Sequence, residues 1–349
     1  MLHIQLPDVD LAASLEKQAT DTFYYNSDWL DLLHTVYGYS TTSLTTQNDK
    51  GQITGFLPLC SIATPFMGKH LVALPFSDHC PLLATNDADA HALLDQAIEL
   101  AQQQKARYLE LRTGYNEVLA RRSDLVAVEE LYVQWLLSLT TDTSAVWSGL
   151  RKPIQRQIKK STKLGVQVHV AQRREEMEHF YRLHLQTRSK KHGMPAQPRQ
   201  FFYGLWDRFA AQQAMQLLLA TYEHQVIAAM IILASGTTVK YAYGASDANY
   251  LHLAPNDLLL WTVITWGCEH GYKTLDLGRT ACDNEGLMEF KRRWGATQNP
   301  LPYYYYPQQA GLATTSEKSW KYQMLTGTWK KLPLQLTGSL GGYLYRYLG

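Results

Sequence analysis

The sequence predicts a mixed α/β (α+β) fold of two similar domains, and three observations carry that prediction. The chain has 349 residues, a length that suits two domains better than one. Stretches with the period of strands are interleaved with amphipathic helical stretches, which indicates sheets covered by helices. The third observation is that the two halves of the chain repeat one order of elements.

The repeat relates GQITGFLPLCSIA at residues 51–63 to HQVIAAMIILASG at residues 224–236. Each segment is followed by a strand that begins with lysine, then by a loop, a long amphipathic helix and a last strand. The last strands read LELRTG at 109–114 and LDLGRT at 275–280, each with a carboxylate inside and Arg-Thr at its end. The copies lie about 165 to 173 residues apart, beyond the roughly 20 to 50 residues of solenoid repeats, so duplication of one domain is expected.

In the first half, TFYYNSDWLDLLHTVY predicts a helix at 22–37, with Ser27 or Asp28 capping it before Trp29. The other elements of this half follow from β-rich runs and from one long amphipathic run. They are strands near 51–63 and 69–76, a helix at 88–104, and strands at 106–114 and 130–139.

In the second half, Gly193 and Pro195 are expected to end a helix that starts near residue 174, and Asn256 is expected to cap a later helix. The predicted elements are helices at 145–163, 174–191, 201–214 and 256–271, strands at 165–171, 215–223, 225–235, 237–246 and 273–278, and a short helix around Lys291.

These patterns place an N-terminal domain at 1–140, a C-terminal domain with the expected active site at 141–310, and an amphipathic helical tail at 311–349. The tail is rich in aromatic and basic residues. Two alternatives remain open for it: the tail packs on the body, or it makes peripheral contact with a membrane surface.

Composition argues against several classes of protein. A net charge of only +2 argues against DNA as a partner. The four cysteines form no CxxC pair, so neither a metal site nor a disulfide framework is expected, and reduced thiols suit a cytoplasmic protein. The N-terminus lacks the pattern of a signal peptide, and no run of 18 apolar residues occurs, so the expected location is cytoplasmic or peripheral to the inner face of the membrane.

A basic stretch opens the second half. Six of the 13 residues from Arg151 to Lys163 are basic and none is acidic. On a helix, one face would carry Lys152, Arg156, Lys159, Lys160 and Lys163. Such a face suits the phosphates of a donor or of tRNA, and a merely solvated surface is the alternative explanation.

Two further stretches carry candidate binding residues. Arg188 lies near the apolar face of its predicted helix, so its position is not explained by the helix dipole alone. Tyr241 and Tyr243 lie in the strand KYAYGAS, and Asp247 follows in a loop, where it either forms a turn or lines a cleft beside Tyr243.

The segment LDLGRTACDNEGLMEFKRRWGA joins a strand to a short helix. Leu287, Phe290, Lys291 and Trp294 have the spacing of one helical face, so a lysine lies within an apolar stripe. An ammonium there is costly unless it faces a cleft, meets an anion or lies against an aromatic ring. Arg279, at the end of the preceding strand, can reach the same region, where α/β proteins commonly bind ligands.

Taken in order, these stretches resemble the Fem-type (FemABX) family of non-ribosomal peptidyl transferases, and above all its FemAB-like branch associated with exosortase and exopolysaccharide systems. The resemblance is carried by RKPIQRQIKKSTKLGVQV, FYRLHLQTRSKKHGMPAQPRQFF, YAYGASDANY, APNDLLLW, LDLGRTACDNEGLMEFKRRWGA and WKKLPLQLTGSLGGYLYRYL. It runs from about residue 20 to the end and is most specific in the second half. It implies two tandem GNAT-like acyltransferase domains facing a shared cleft.

The resemblance also implies transfer of an acyl or aminoacyl group to a primary amine of a cell-envelope precursor, in peptidoglycan or exopolysaccharide. The donor, aminoacyl-tRNA, is a co-substrate, and no bound cofactor is implied. Lys291 corresponds to the lysine of the family's Phe-Lys motif; with Arg279 it is expected to stabilise an oxyanion or donor phosphate, and Tyr243 and Asp247 are expected to orient the amine. The expected substrate-binding residues are Arg188, Trp29, Tyr241, Phe290 and Trp294.

The chain departs from the family pattern in two features: it has no inserted coiled-coil arm and no GNAT pyrophosphate loop. Two alternatives therefore remain open. One is a GNAT-type N-acyltransferase that uses acyl-CoA or acyl-carrier protein on a sugar or amino-acid amine. The other is a non-catalytic cleft protein that binds an envelope precursor.

Overall fold

A computed structural model describes residues 13–65, 68–307 and 329–347, which fold around two seven-stranded sheets. The strands are β1 (Ser40–Gln47), β2 (Ile53–Thr64), β3 (Gly68–Val72), β4 (Leu83–Ala84), β5 (Leu109–Leu111), β6 (Val126–Val128), β7 (Tyr132–Ser138), β8 (Gln167–Val170), β9 (Met215–Tyr222), β10 (Gln225–Ser235), β11 (Thr238–Ser246), β12 (Thr274–Ala281), β13 (Thr297–Pro300) and β14 (Tyr303–Tyr306). The α-helices are α1 (Ala13–Thr20), α2 (Ser27–Tyr37), α3 (Asp87–Gln103), α4 (Glu117–Ala120), α5 (Thr143–Gly149), α6 (Lys152–Lys163), α7 (Met177–Leu185), α8 (Arg199–Phe209), α9 (Pro255–Glu269), α10 (Glu285–Arg293) and α11 (Leu334–Tyr345).

The two sheets share one strand order. The first sheet runs β1-β2-β3-β5-β14-β6, with β4 beside β2, and the second runs β8-β9-β10-β11-β12-β7-β13. Among the described strands, one pair in each sheet is parallel, β3 with β5 and β11 with β12, and a long helix, α3 or α9, separates each pair along the chain. The run β1-β2-β3-β5 thus recurs as β9-β10-β11-β12, and the duplication predicted from the sequence is confirmed.

The two halves exchange a strand. β7 belongs to the first half of the chain but lies between β12 and β13 in the second sheet, whereas β14 follows the second half but lies between β5 and β6 in the first. The sheets therefore do not divide the chain at residue 140. Each half contributes backbone hydrogen bonds to the other's sheet, so the halves cannot separate without breaking both sheets.

Two of the predicted helices are each divided. The helix expected at 145–163 is divided into α5 and α6. Pro153 lies in the first turn of α6, where a backbone N–H has no partner within the helix, so proline favours a new helix start there. The helix expected at 174–191 is a 3₁₀ turn (Arg174–Glu176), α7 and a π-helix (Gln186–His192), and it ends as predicted at Gly193, in the left-handed conformation.

The cap predictions are wrong in two helices. Asn26 caps α2 by accepting a hydrogen bond from the backbone N–H of Asp28, so Ser27 and Asp28 lie inside the helix. Asn256 also lies inside the first turn of its helix, α9, and its side chain donates to the Ser246 hydroxyl instead.

One apolar core joins the two halves. It extends from the first sheet through α2, α7 and α8 to one face of the second sheet, while a separate core fills the space between the other face and the helices α6 and α9. α11 packs against α7, with Thr337 fully buried, so this part of the tail rests on the body. Residues 311–328 and 348–349 of the predicted tail lie outside the described residues.

Candidate active site

The second sheet opens between β11 and β12. These parallel strands pair only at Thr238–Lys240 against Thr274–Asp276, and both continue beyond that pairing. β12 also bulges at Gly278, which has a left-handed φ of +77° and whose added Cβ would lie 3.0 Å from Asp78 Oδ2. The backbone here therefore requires glycine.

Charged groups fill the start of this opening. Lys240 Nζ lies 2.8 Å from Asp78 Oδ2 and 2.9 Å from Asp276 Oδ2. Burial would raise the pKa of Asp78, but the charges of Lys240 and Arg279 outweigh burial and hold that pKa well below its usual range. Burial would lower the pKa of Lys240, but Asp276 and Asp78 hold it well above its usual range. Lys240 is therefore a buried cation whose charge is paired.

Asp78 reaches this place from the first half of the chain, on the loop after β3. Arg112, the arginine of LELRTG, donates through Nη1 to the carbonyls of Leu74 and Ser77 at 3.3 and 3.1 Å and so fixes that loop. The backbone N–H of Arg279, the arginine of LDLGRT, donates to Asp78 Oδ2 at 3.3 Å. The two arginines of the repeat thus hold one loop from opposite sides.

The Arg279 side chain is engaged in structural contacts. Its Nη1 donates to the Tyr303 hydroxyl at 2.7 Å, and that hydroxyl donates to the Asp78 carbonyl at 2.6 Å. The guanidinium also lies 4.4 Å from the centre of the Tyr132 ring. Tyr132 and Tyr303 begin the two exchanged strands, so Arg279 binds those strands to the Asp78 loop. Its predicted catalytic role stays a prediction.

Lys291, on α10, points into the same opening. Its side chain is almost wholly buried, and its Nζ donates to the carbonyls of Gly278 at 2.9 Å and Arg279 at 3.1 Å. Burial lowers the pKa of Lys291 to about 8, against the opposing pull of Asp78. An ammonium has three N–H donors, so one remains for another acceptor, such as a developing oxyanion.

Aromatic residues close the opening toward the first core. Trp29 is fully buried, and its ring lies 5.0 Å from that of Tyr24, which lies 5.9 Å from Lys240 Nζ. The Tyr243 ring contacts Phe202 at 5.3 Å. Burial raises the pKa of both tyrosines, so they are neutral hydrogen-bonding groups at pH 7. Trp29, predicted to bind substrate, is a core residue that supports Tyr24.

Tyr241 and Asp247 have surroundings that differ from those of Tyr243. A bulge in β11 against β10 turns Tyr241 toward the core beneath α9, whereas Tyr243 faces the core that contains α7 and α8. The Asp247 side chain accepts from the backbone N–H of Asn249 at 2.9 Å, so it forms a turn, which is one of the two alternatives that the sequence left open.

The other predicted binding residues surround the opening at different depths. Phe290 and Trp294 pack in the core beneath Lys291, and Trp294 is buried. Arg188 lies in the π-helix, where its Nε donates to the Pro195 carbonyl at 3.3 Å. Within the described residues, its other guanidinium nitrogens make no hydrogen bond.

The predicted cationic face exists on α6. Its five residues are exposed, while Ile154 and Ile158 on the opposite side are buried against the second core. Arg151, just before α6, forms an ion pair of 3.6 Å with Glu289 of α10. The cationic face therefore begins beside the helix that carries Lys291.

Sequence reasoning missed Asp78 and Tyr303, and it gave no role to Lys240 or Asp276. The repeat did draw attention to a lysine in one strand and a carboxylate in the next, but only the parallel register brings Lys240 opposite Asp276. Nothing in the sequence marks Asp78, whose position depends on the fold of a loop.

A groove of about 960 Å³ lies between α2, α7, α8 and α11; Tyr37 lines it, whereas Lys291, Arg279 and Tyr243 do not. All four cysteines are free thiols. In the part of the chain that the structure describes, no cluster of His, Cys, Asp and Glu could hold a metal ion. The helices within that part are all too short or too polar to cross a bilayer.

Comparison with known proteins gives a matching domain family and a relative that matches part of the chain. Residues 148–292 match the acetyltransferase (GNAT) domain family. A stretch of 85 residues is 32% identical to the Lipid II:glycine glycyltransferase of Staphylococcus haemolyticus (strain JCSC1435), covering 22% of this chain and 20% of that protein. The chain thus matches about a fifth of the length of that curated relative.

Solved structures share the fold. The crystal structure of FemX aligns with a TM-score of 0.68 at 15% identity, over 89% of this chain and 98% of FemX. A conserved protein of unknown function from Bacteroides thetaiotaomicron VPI-5482 aligns with a TM-score of 0.55 at 10% identity, over 84% and 92% of the two chains. The predicted fold class of two GNAT-like domains is confirmed.

Proposed function

We propose that this chain, a Fem-type member of the GNAT acyltransferases, transfers an aminoacyl group from aminoacyl-tRNA to a primary amine of a lipid-linked envelope precursor. The observation that carries the proposal is Lys291, a buried ammonium held by two carbonyls with one N–H to spare. The partial similarity to the Lipid II:glycine glycyltransferase supports lipid II as the acceptor and glycine as the group transferred.

In the proposed reaction, the acceptor nitrogen attacks the ester carbonyl of the donor. The C–N bond forms, the ester C–O bond breaks, and the spare N–H of Lys291 stabilises the oxyanion that develops in between. The amine loses one proton and the leaving tRNA oxygen gains one. Tyr243, a neutral phenol, relays that proton by accepting it and donating its own. Asp78, Lys240 and Arg279 position the groups and do not exchange protons.

The direct test is mass spectrometry of lipid II after incubation with the protein and glycyl-tRNA, with acetyl-CoA as the alternative donor. A product heavier by one glycyl residue is expected with glycyl-tRNA alone. An acetylated product would instead support the acyl-CoA alternative. An amine-bearing exopolysaccharide precursor is the second acceptor to assay. If no combination of donor and acceptor gives a product, the result favours the alternative of a non-catalytic protein that binds an envelope precursor.

The cationic face of α6 is proposed to bind the tRNA donor. The double variant Lys160→Glu/Lys163→Glu removes two exposed cations, so tRNA affinity should fall at least about tenfold and its salt dependence should become shallower. Filter binding across a salt series measures both. Lys50→Glu/Lys69→Glu is the matched control, since it changes the same charge at exposed positions elsewhere. Equal losses in both variants would contradict a specific tRNA surface.

α11 is proposed to contact the inner face of the membrane. Leu336, Leu340, Tyr343 and Leu344 lie on its outer face and are exposed, and the chain carries no acidic residue after Glu317. Leu336→Asp/Leu340→Asp should lower sedimentation with phosphatidylglycerol vesicles at least about tenfold. The control variant Leu164→Asp/Leu251→Asp changes exposed leucines outside α11 and should bind vesicles like the wild type. An equal loss of vesicle binding in the control would refute membrane contact through α11.

A further inference from the structure

The inner face of α11 is directed at the candidate active site. Thr337, Gly341 and Tyr345 have the spacing of one helical face, opposite the exposed leucines. The Tyr345 ring lies 5.0 Å from Phe76 and 6.4 Å from Tyr37. Phe76 belongs to the same loop as Asp78, so the C-terminal helix places one tyrosine against the loop that closes the opening.

α11 is held firmly in this position. An added Cβ at Gly341 would lie 3.0 Å from the backbone nitrogen of Ala196, so only glycine permits this approach. The Tyr39 hydroxyl donates to the Arg346 carbonyl at 2.7 Å, and Arg346 Nη2 donates to the Tyr37 carbonyl at 3.2 Å. These contacts hold the helix on both sides of Tyr345.

Several phenol hydroxyls around Tyr345 have no use within the protein. The Tyr37 hydroxyl is buried without a hydrogen-bond partner. Among the described residues, the hydroxyls of Tyr243 and Tyr345 also make no hydrogen bond, and both side chains are half-buried. Burial raises the pKa of Tyr345 against the opposing charges of Arg188 and Arg279. A buried phenol hydroxyl left unpaired is costly, so the Tyr37 hydroxyl, with the half-buried Tyr345 ring 6.4 Å from its own ring, indicates a ligand.

We infer that Tyr345 is an acceptor-binding residue: its hydroxyl, together with that of Tyr37, binds neutral hydrogen-bonding groups of the acceptor, such as amides or sugar hydroxyls, beside the reacting amine. The inference rests on the proposed function and deepens it, since it adds the C-terminal helix to the site. The same helix then joins the acceptor site on its inner face to the exposed leucines on its outer face.

The test compares Tyr345→Phe with the wild type in transfer from glycyl-tRNA to lipid II. Phenylalanine keeps the ring packing and removes only the hydroxyl, so the melting temperature should not change. The KM for lipid II should rise about three- to tenfold, with kcat and the KM for glycyl-tRNA unchanged. Tyr115→Phe, at an exposed tyrosine in neither the candidate site nor α11, is the matched control and should behave like the wild type.

The outcomes separate this inference from the proposed function. Wild-type transfer with an unchanged KM in Tyr345→Phe overturns this inference alone. Binding of lipid II in detergent micelles without any transfer contradicts the proposed function, and a weaker affinity of Tyr345→Phe would then still support this inference. This inference is overturned if Tyr345→Phe binds lipid II in micelles as tightly as the wild type does. It is also overturned if the wild type does not bind lipid II.

Discussion

Replacing Lys291 by alanine is expected to lower kcat for aminoacyl transfer by about 10²- to 10³-fold. The variant loses the one ammonium that the two carbonyls of the β12 bulge hold in place. It also leaves those carbonyls buried without their donor, so stability must be followed by thermal unfolding in parallel. Rates are to be measured under saturating lipid II, because the lost interaction belongs to the transition state and the KM should change little.

The matched control is Arg293→Ala, which removes an exposed cation from the same helix two residues away. It should keep wild-type kcat. An active Lys291→Ala protein, with kcat within about threefold of wild type, would remove Lys291 from the chemistry.

The pH dependence of kcat provides an independent check on Lys291. Its pKa is lowered to about 8 by burial, so the ammonium is lost as the pH rises through about 8. Because the proposed role needs the cation, kcat should fall on the alkaline side with an apparent pKa near 8. Lys291→Arg cannot lose its charge in this range, so any remaining activity should lack that limb. A limb that persists in Lys291→Arg would assign it to another group.

The fold was largely predictable because its signals are local and repeated. The apolar runs of β2 and β10 and the amphipathic runs of α3 and α9 each specify an element, and their common order specifies the duplication. The strand exchange was not predictable in this way. The sequences of β7 and β14 predict strands but do not indicate a sheet. The sheet that each strand joins depends on pairing with residues far away along the chain.

The candidate site also contains some features that the sequence could predict and others that it could not. The buried position of Lys291 was predictable, because the lysine lies within an apolar stripe of its helix, and its functional role stays a prediction. Asp247 and Tyr241 were plausible by proximity in sequence, but a turn and a strand bulge direct them elsewhere. Asp78 lies more than 200 residues from Lys291 along the chain, and Tyr345 lies more than 250 residues from Phe76, so only the folded structure brings each pair together.

Lys240→Met is expected to lower the free energy of unfolding by about 3 kcal/mol or more, because it leaves two carboxylates close together at a buried position without their cation. Asp78 and Asp276 come from different halves of the chain, so the loss should appear in one cooperative unfolding transition measured by urea denaturation. Lys69→Met, at an exposed position of β3, should change stability by less than about 0.5 kcal/mol.

The pH dependence distinguishes this electrostatic effect from lost packing. In the wild type the folded-state pKa of Asp78 is depressed, so its stabilisation is present above the unfolded pKa of about 4 and is lost as the pH falls further. In Lys240→Met the charged form of Asp78 is disfavoured, so the deficit should be largest at pH 7 and should shrink toward pH 4. A double-mutant cycle with Asp78→Asn should recover part of the loss. A deficit that is constant with pH and purely additive in the cycle would mean that Lys240 contributes packing and no ion pair.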